Sequence, residues 1–400
     1  MVNWDIISII IFYSVLFGFF LRYKEKFTIQ AKFIALYKTK LGLNLMNVIS
    51  KKFPRLLKWI SYVGVYVSFA GMGFILYVII KETIKLVFVP GTAPALAPVL
   101  PGIEIPGVPA LSFWHWIVTI FIAATIHEFA HGVVARLHKV KVKSSGFAFM
   151  GPILAAFVEP DEKTLVKKSK MQQLSVFAAG PFSNIILGFL VLLVMLFLFA
   201  PLVSNIYVGE GITVNSVLEG YPMEASGVEV PFTITQINGE DTLDVVEFAN
   251  VTSKLKPGDE VILITDKGKY IVETTVNPDN NESAFFGISG LVQEQSVKEE
   301  YSYLEGWEGV ISWISMLLMW LFMINIGIGL FNLLPLGPVD GGRMFYVLFL
   351  GIFKDEKIAA KALTLMSLLC LALIVINMIP WFTKLLTWLW SIAVLLIAFI

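Results

Sequence analysis

Residues 113–137 read FWHWIVTIFIAATIHEFAHGVVARL. The run is long enough to cross a bilayer, since roughly 20 apolar residues at about 1.5 Å each span its hydrocarbon core. Inside it sits His127-Glu128-Phe129-Ala130-His131. Residues four apart share one helix face, so both imidazoles can grip one Zn²⁺, with Glu128 placed to take a proton from an attacking water. Metal-binding and charged groups are costly in lipid and need partners or a wet cavity. A substrate bond that also lies in the membrane is a reason to accept that cost.

Working outward, composition agrees with a membrane chain. Of 400 residues, 57% are hydrophobic and 15% charged, whereas soluble domains run near half apolar and about a quarter charged. Thirty basic residues balance 30 acidic ones, so no bulk attraction to nucleic acid is expected. The single cysteine, Cys370, excludes an internal disulfide and a thiolate zinc cage. Residues 1–5 carry no basic side chain and no small-residue cleavage site follows, so 4–21 reads as a retained first span.

Apolar windows at 4–21, 59–80, 113–137, 174–203, 310–334, 359–379 and 381–400 suggest about seven spans. The segment 344–353 is too short to cross and reads as a half-helix or interfacial piece. Residues 22–58 hold ten Lys or Arg against Glu25 alone, which puts that loop in the cytoplasm. On this map the HEFAH motif lies in the cytoplasmic half of its helix. From about 204 to 290 the chain turns polar, with strand-like runs at 211–217, 232–237, 260–265 and 270–276 and a short helix near 243–254. Turn signals such as Asn238-Gly239 and Pro257-Gly258-Asp259 separate them, so this is a β-rich extracytoplasmic insert.

Two helical histidines leave zinc short of a third protein ligand. The best candidate is Asp340, within NLLPLGPVDGGR at 332–343. Pro335, Gly337 and Pro338 should break the span that begins near 310. Broken backbone at membrane depth is tolerated only where protein or a water cavity satisfies it. A hydrated spot is therefore expected at the depth of His127 and His131. His138 reads as solvated surface among basic residues, and Arg343 as a helix-end anchor.

HEFAH in one span and NLLPLGPVDGGR in a later one resemble the site-2 protease family of intramembrane zinc metalloproteases. That family's pattern is HExxH followed by N-x-x-P-x-x-x-x-D-G; Asn332, Pro335, Asp340 and Gly341 fall on it with the spacing intact. AAGPFSN at 178–184 resembles the family's AGPxxN segment, and the match runs over about 114–346. Within the insert, PMEASG, ITQING and PGD in that order resemble a protease-associated PDZ domain.

The resemblance implies a membrane all-α multi-span bundle with a three-helix catalytic core and an inserted extracytoplasmic β-rich PDZ-like domain. Its divisions would be 1–112 (N-terminal spans and basic loop), 113–203 (first part of the core), 204–292 (PDZ-like), 293–346 (second part of the core) and 347–400 (C-terminal spans). It implies one Zn²⁺ per chain on His127, His131 and Asp340, with Glu128 as general base. The implied activity is hydrolysis of peptide bonds within or near transmembrane segments, as in regulated intramembrane proteolysis. Substrates would be single-span membrane proteins, some already cut by another protease. The PDZ-like domain could hold a fresh peptide C-terminus; no nucleic acid partner is expected.

A helix shields its peptide bonds, so the substrate must be locally extended. The apolar, Gly-containing stretch 146–160 is expected to form a hairpin that pairs with it as an extra strand, with Phe147 and Phe149 near the substrate. Asn184 and Asn332 are expected to hydrogen-bond the extended backbone or the oxyanion. Two rival readings are a catalytically inactive zinc-binding PDZ scaffold and a metal carrier. A carrier would string ionisable residues across several helices, whereas here they cluster at one depth.

Overall fold

The computed structural model describes residues 4–30, 34–103, 105, 108–150, 153–278 and 280–398. The chain forms two compact units, Met1–Met195 with Ile314–Ile400, and Leu196–Trp313.

The first unit is built on helices α1 (Trp4–Tyr23), α2 (Leu43–Lys52), α3 (Pro54–Phe88), α4 (Phe113–Leu137), α5 (Lys170–Val194), α6 (Glu308–Asn332), α7 (Asp340–Phe353) and α8 (Glu356–Ala398). Among the described residues, 6 helical runs are long and apolar enough to cross a bilayer: Ile7–Lys26, Pro54–Phe88, Phe113–Leu137, Lys170–Ile206, Glu308–Asn332 and Glu356–Thr387. The sequence suggested about one more. The difference lies in α8, where 359–379 and the described part of 381–400 lie in a single helix of 43 residues, Glu356–Ala398, with Pro380 inside it. A proline deletes one helical hydrogen bond and bends the axis, but need not end the helix when the flanking residues are strong helix formers. The short segment near 344–353 belongs to α7, a half-helix of 14 residues starting at Asp340.

Packing places α4 between its neighbours. Near its start, Phe113, Trp116, Ile117 and Ala123 bury against Trp320 and Ile324 of α6. Near its end, Val134 and Ala135 bury against Val176 and Ala179 of α5. A third cluster joins Val65 and Met72 of α3, Leu174 and Ala178 of α5, and Met344, Phe345 and Val347 of α7. Two helix starts are capped by side chains: Ser112 accepts from the His115 N–H at the start of α4. Ser169 and Gln172 form a capping box at the start of α5, which stabilises such a terminus by about 1 kcal/mol.

A four-stranded antiparallel sheet lies in the same unit, in the order β1 (Phe27–Gln30), β2 (Ile34–Thr39), β3 (Val142–Met150) and β4 (Ile153–Pro160). The β3–β4 hairpin is the one expected near 146–160. The β1–β2 hairpin comes from the basic stretch taken as a cytoplasmic loop, and it docks β2 on β3 with Tyr37 opposite Phe147. Lys38 of β2 reaches across β3 to Glu159 of β4 at 2.9 Å. Among the described residues no strand pairs with the outer edge of β4.

The second unit is β-rich. Strands β5 (Tyr207–Val217), β6 (Phe232–Ile237), β7 (Glu260–Thr265), β8 (Gly268–Glu273) and β9 (Ile288–Val297) pair antiparallel in the order β9-β5-β6-β7-β8. Alternate side chains, including Val214, Phe232, Ile234, Ile237, Val261 and Leu263, form one core with Met223. Asn238 and Gly239 both take positive φ, 53° and 80°, as a two-residue turn matched to strand twist requires. Three of the four strand-like runs fall inside observed strands; the fourth is broken at Thr274. The expected helix is Val245–Thr252, capped by Asp244.

Candidate active site

One turn of α4 separates His127 from His131, and both are buried, at 7% and 9% exposure. Beyond α6 the chain stays non-helical until Asp340 opens α7. Asp340 Oδ2 lies 3.1 Å from His127 Nε2 and 3.2 Å from His131 Nε2, and the two nitrogens are 3.2 Å apart. Zinc held tetrahedrally at about 2.0–2.1 Å keeps its donors roughly 3.3 Å from one another. The triangle therefore has the size of one face of a zinc coordination shell. Three such donor atoms satisfy each other poorly, whereas one cation satisfies all of them.

The surrounding bonds orient the rings for that task. His131 Nδ1 donates to the Val176 carbonyl at 2.7 Å, which leaves the Nε2 lone pair directed at the centre. His127 Nδ1 meets the Asn184 amide at 3.3 Å. Asn184 Oδ1 is a buried oxygen without a partner. The two ends of a carboxamide are isosteric, so presenting Oδ1 to the His127 Nδ1–H gives that oxygen its partner and frees Nε2 for a metal.

Local sequence explains how the pieces meet. An added Cβ on Gly180 of α5 would collide with the Nε2 atoms of both histidines. Gly341 and Gly342 leave no room for a Cβ beside the backbone of Leu333, Leu334 and Leu336. The glycine pair thus lets the first turn of α7 tuck under the broken strand of backbone before it. That backbone finds partners in α8: the Gly337 N–H donates to Ser367 Oγ at 3.0 Å, and Ser367 Oγ donates to the Pro335 carbonyl at 3.4 Å.

Glu128 Oε2 accepts from the Val158 N–H of β4 at 2.8 Å. A cavity of about 290 Å³ is lined by His127, Glu128, His131, Phe157, Asp340 and Arg343, among others. A second, apolar cavity of about 250 Å³ shares Glu128, Phe157 and Val158 with it and is closed by Leu45, Met46, Phe121 and Phe147.

The family model described as Peptidase family M50 matches residues 115–375, well over half of the chain. The chain belongs to peptidase family M50. It is a multi-pass membrane metalloprotease of the site-2 type, with zinc as its cofactor. The peptidase is 27% identical over 326 residues to the uncharacterized protein MJ0971 of Methanocaldococcus jannaschii, covering 80% of this chain and 78% of that one. It is 24% identical over 272 residues to the zinc metalloprotease RasP of Shouchella clausii, covering 56% of this chain and 62% of RasP. Among solved structures, the PDZ domain of the SdrC-like protein from Listeria monocytogenes aligns with 21% of this chain and 88% of that domain, at 25% identity and a TM-score of 0.19.

The remaining candidates of the M50 peptidase are scattered. Asn332 lines the main cavity, with Nδ2 donating to the Ile328 carbonyl at 3.0 Å. Phe147 lies in the apolar cavity, stacked on Phe121 at 6.2 Å. Phe149 packs edge-on against Phe27 at 5.3 Å within the sheet. Asn184 is 0% exposed and meets His127 Nδ1. Two positions that sequence reasoning did not single out are Gly180, quoted only as part of AAGPFSN, and Val158, named only within the stretch 146–160.

Proposed function

We propose that this peptidase hydrolyses peptide bonds within or next to the transmembrane segment of single-span membrane proteins. Cleavage would occur towards the cytoplasmic side of a prokaryotic plasma membrane, with release of a cytosolic fragment. The observation that carries the reading is the meeting of His127, His131 and Asp340, with Glu128 held on the free edge of β4.

His127, His131 and Asp340 would hold Zn²⁺, which would supply a Lewis acid able to bring water deprotonation near neutral pH and to polarise a carbonyl. Glu128 takes the proton of the attacking water and returns it to the leaving amine. The free edge of β4 receives the unwound substrate as a further strand. In that register the substrate carbonyl takes the Val158 N–H from Glu128, so pairing also frees the base at the moment it is needed. The apolar cavity beside Glu128 takes a large apolar side chain next to the cut bond. The β-rich unit acts as an extracytoplasmic PDZ-like domain that captures a fresh carboxyl end or excludes bulky substrates. The dense basic stretch at 22–58 supports this orientation.

The test is cleavage of a single-span substrate in proteoliposomes, with products mapped by mass spectrometry and metal measured on the same samples. Glu128→Gln should keep about one zinc per chain and lose cleavage by three or more orders of magnitude. Activity retained in Glu128→Gln would remove Glu128 as the base. Cleavage confined to water-exposed loops would remove the intramembrane reading.

A further inference from the structure

Away from the catalytic cleft, His138 departs from its sequence reading as solvated surface. It is 6% exposed. Its Nε2 lies 2.8 Å from Ser175 Oγ, whose hydroxyl donates to the Gln172 carbonyl at 2.9 Å. Nε2 therefore carries a proton and donates. The ring stacks on Tyr62 with centroids 6.1 Å apart and planes 13° from parallel.

Beside it lies a cavity of about 270 Å³ lined by Pro54, Arg55, Lys58, Leu137, His138 and Gln172. Its wall carries cations, amide and imidazole groups and no carboxylate. Among the described residues, the ion pairs of this unit involve other side chains, and Arg55, Lys58 and Lys168 have no carboxylate in ion-pair reach. Lys58 instead stands over the Tyr62 ring at 5.8 Å. The first turn of α3 starts on the same wall at Pro54 with no side-chain cap, so the positive end of its dipole adds to the field. His138 registers that field. Burial, then the charges of Lys58 and Lys168, push its imidazole down to about 4.

We propose that this cavity binds a phosphate-bearing anion, either the headgroup of an anionic phospholipid or free phosphate. Arg55 offers a planar fork of donors suited to a phosphate edge, and Lys58 adds a mobile point charge. The cavity lies where α3 begins and α4 ends, at the basic margin of the spans, where headgroups meet protein. Its lower wall is the last turn of α4, so a bound anion would fasten α3 to the helix that carries His127 and His131.

The experiment uses full-length protein in nanodiscs of phosphatidylcholine, with or without a minority of phosphatidylglycerol. Lipid carried through detergent release is counted by native mass spectrometry. Inorganic phosphate binding is measured by calorimetry in the discs lacking phosphatidylglycerol. Selective retention of phosphatidylglycerol identifies the lipid as source, and phosphate binding alone identifies the free anion. Each basic contact is worth about fivefold in affinity, so Arg55→Gln/Lys58→Gln should lower either signal roughly twenty- to thirtyfold. Lys354→Gln/Lys357→Gln, which removes equal charge from an exposed turn, should stay within about twofold. Should the double variant not fold, Arg55→Gln alone replaces it, with an expected loss of about fivefold. In the wild type, ¹⁵N spectra of His138 should show its pKa rising when the anion binds. The proposal falls if the wild type holds neither probe, or if both double variants lose binding equally.

Discussion

Asn184 and Gly180 lie one turn apart on α5 at the paired imidazoles: Asn184 meets His127 with its amide, and Gly180 leaves room for both rings by its absence of side chain. If Asn184 orients His127 rather than touching substrate, the consequence falls on metal affinity and turnover, not on KM. Asn184→Asp keeps an acceptor for the His127 Nδ1–H and should retain zinc. Asn184→Leu removes it and should weaken zinc binding about 10- to 100-fold, as loss of such outer partners does. Competition with a zinc chelator, read beside kcat and KM, checks this; a raised KM with unchanged zinc affinity would return Asn184 to the substrate side. At this scale the ligands were legible because HExxH fixes two nitrogens by helix geometry and a D-G after broken backbone marks the third. Asn184 was singled out, but as a substrate contact, and the part played by Gly180 was not legible, since small residues in a membrane helix fit ordinary close packing equally well.

Among the elements, β4 carries the sharpest consequence. The Val158 N–H goes to Glu128 rather than to β3, so it is not part of the sheet's ladder. Proline is tolerated where a strand's N–H faces away from its neighbour. Val158→Pro should therefore leave the melting temperature and zinc content close to wild type. It should also lower kcat/KM on a spanning substrate by roughly tenfold, the worth of about one backbone hydrogen bond. An unchanged rate would mean that the substrate does not pair there. The β3–β4 hairpin was readable as an apolar, Gly-containing run too short to span. Its partner β2, and β1 beyond it, were not. They sit among lysines, and β2 meets β3 through residues more than a hundred positions apart, such as Lys38 with Gly146, a pairing that no local pattern signals.

At the scale of the whole chain, the polar break at about 204 marked the β-rich unit. Span number was harder to read, because a proline such as Pro380 looks like a boundary whether it ends a helix or only bends it. The β-rich unit has a core drawn wholly from its own strands and helices. Its first and last long strands also pair, so Tyr207 and Val297 are partners, and the Lys298 N–H donates to the Ile206 carbonyl at 2.9 Å. Chain that leaves and returns at one point can be removed without stretching what remains, so a short Gly/Ser linker from 206 to 298 should close the gap. That deletion should retain zinc and cut substrates with short outer segments at rates within a few-fold of wild type. If the unit excludes bulky substrates, the deletion should also cut a substrate whose folded outer domain is intact, which the full chain should spare. If it captures carboxyl ends, the deletion should instead slow cleavage of pre-cut substrates and leave intact ones uncut. Paired time courses on the two substrates separate these outcomes, and an identical profile for both enzymes would deny the unit either role.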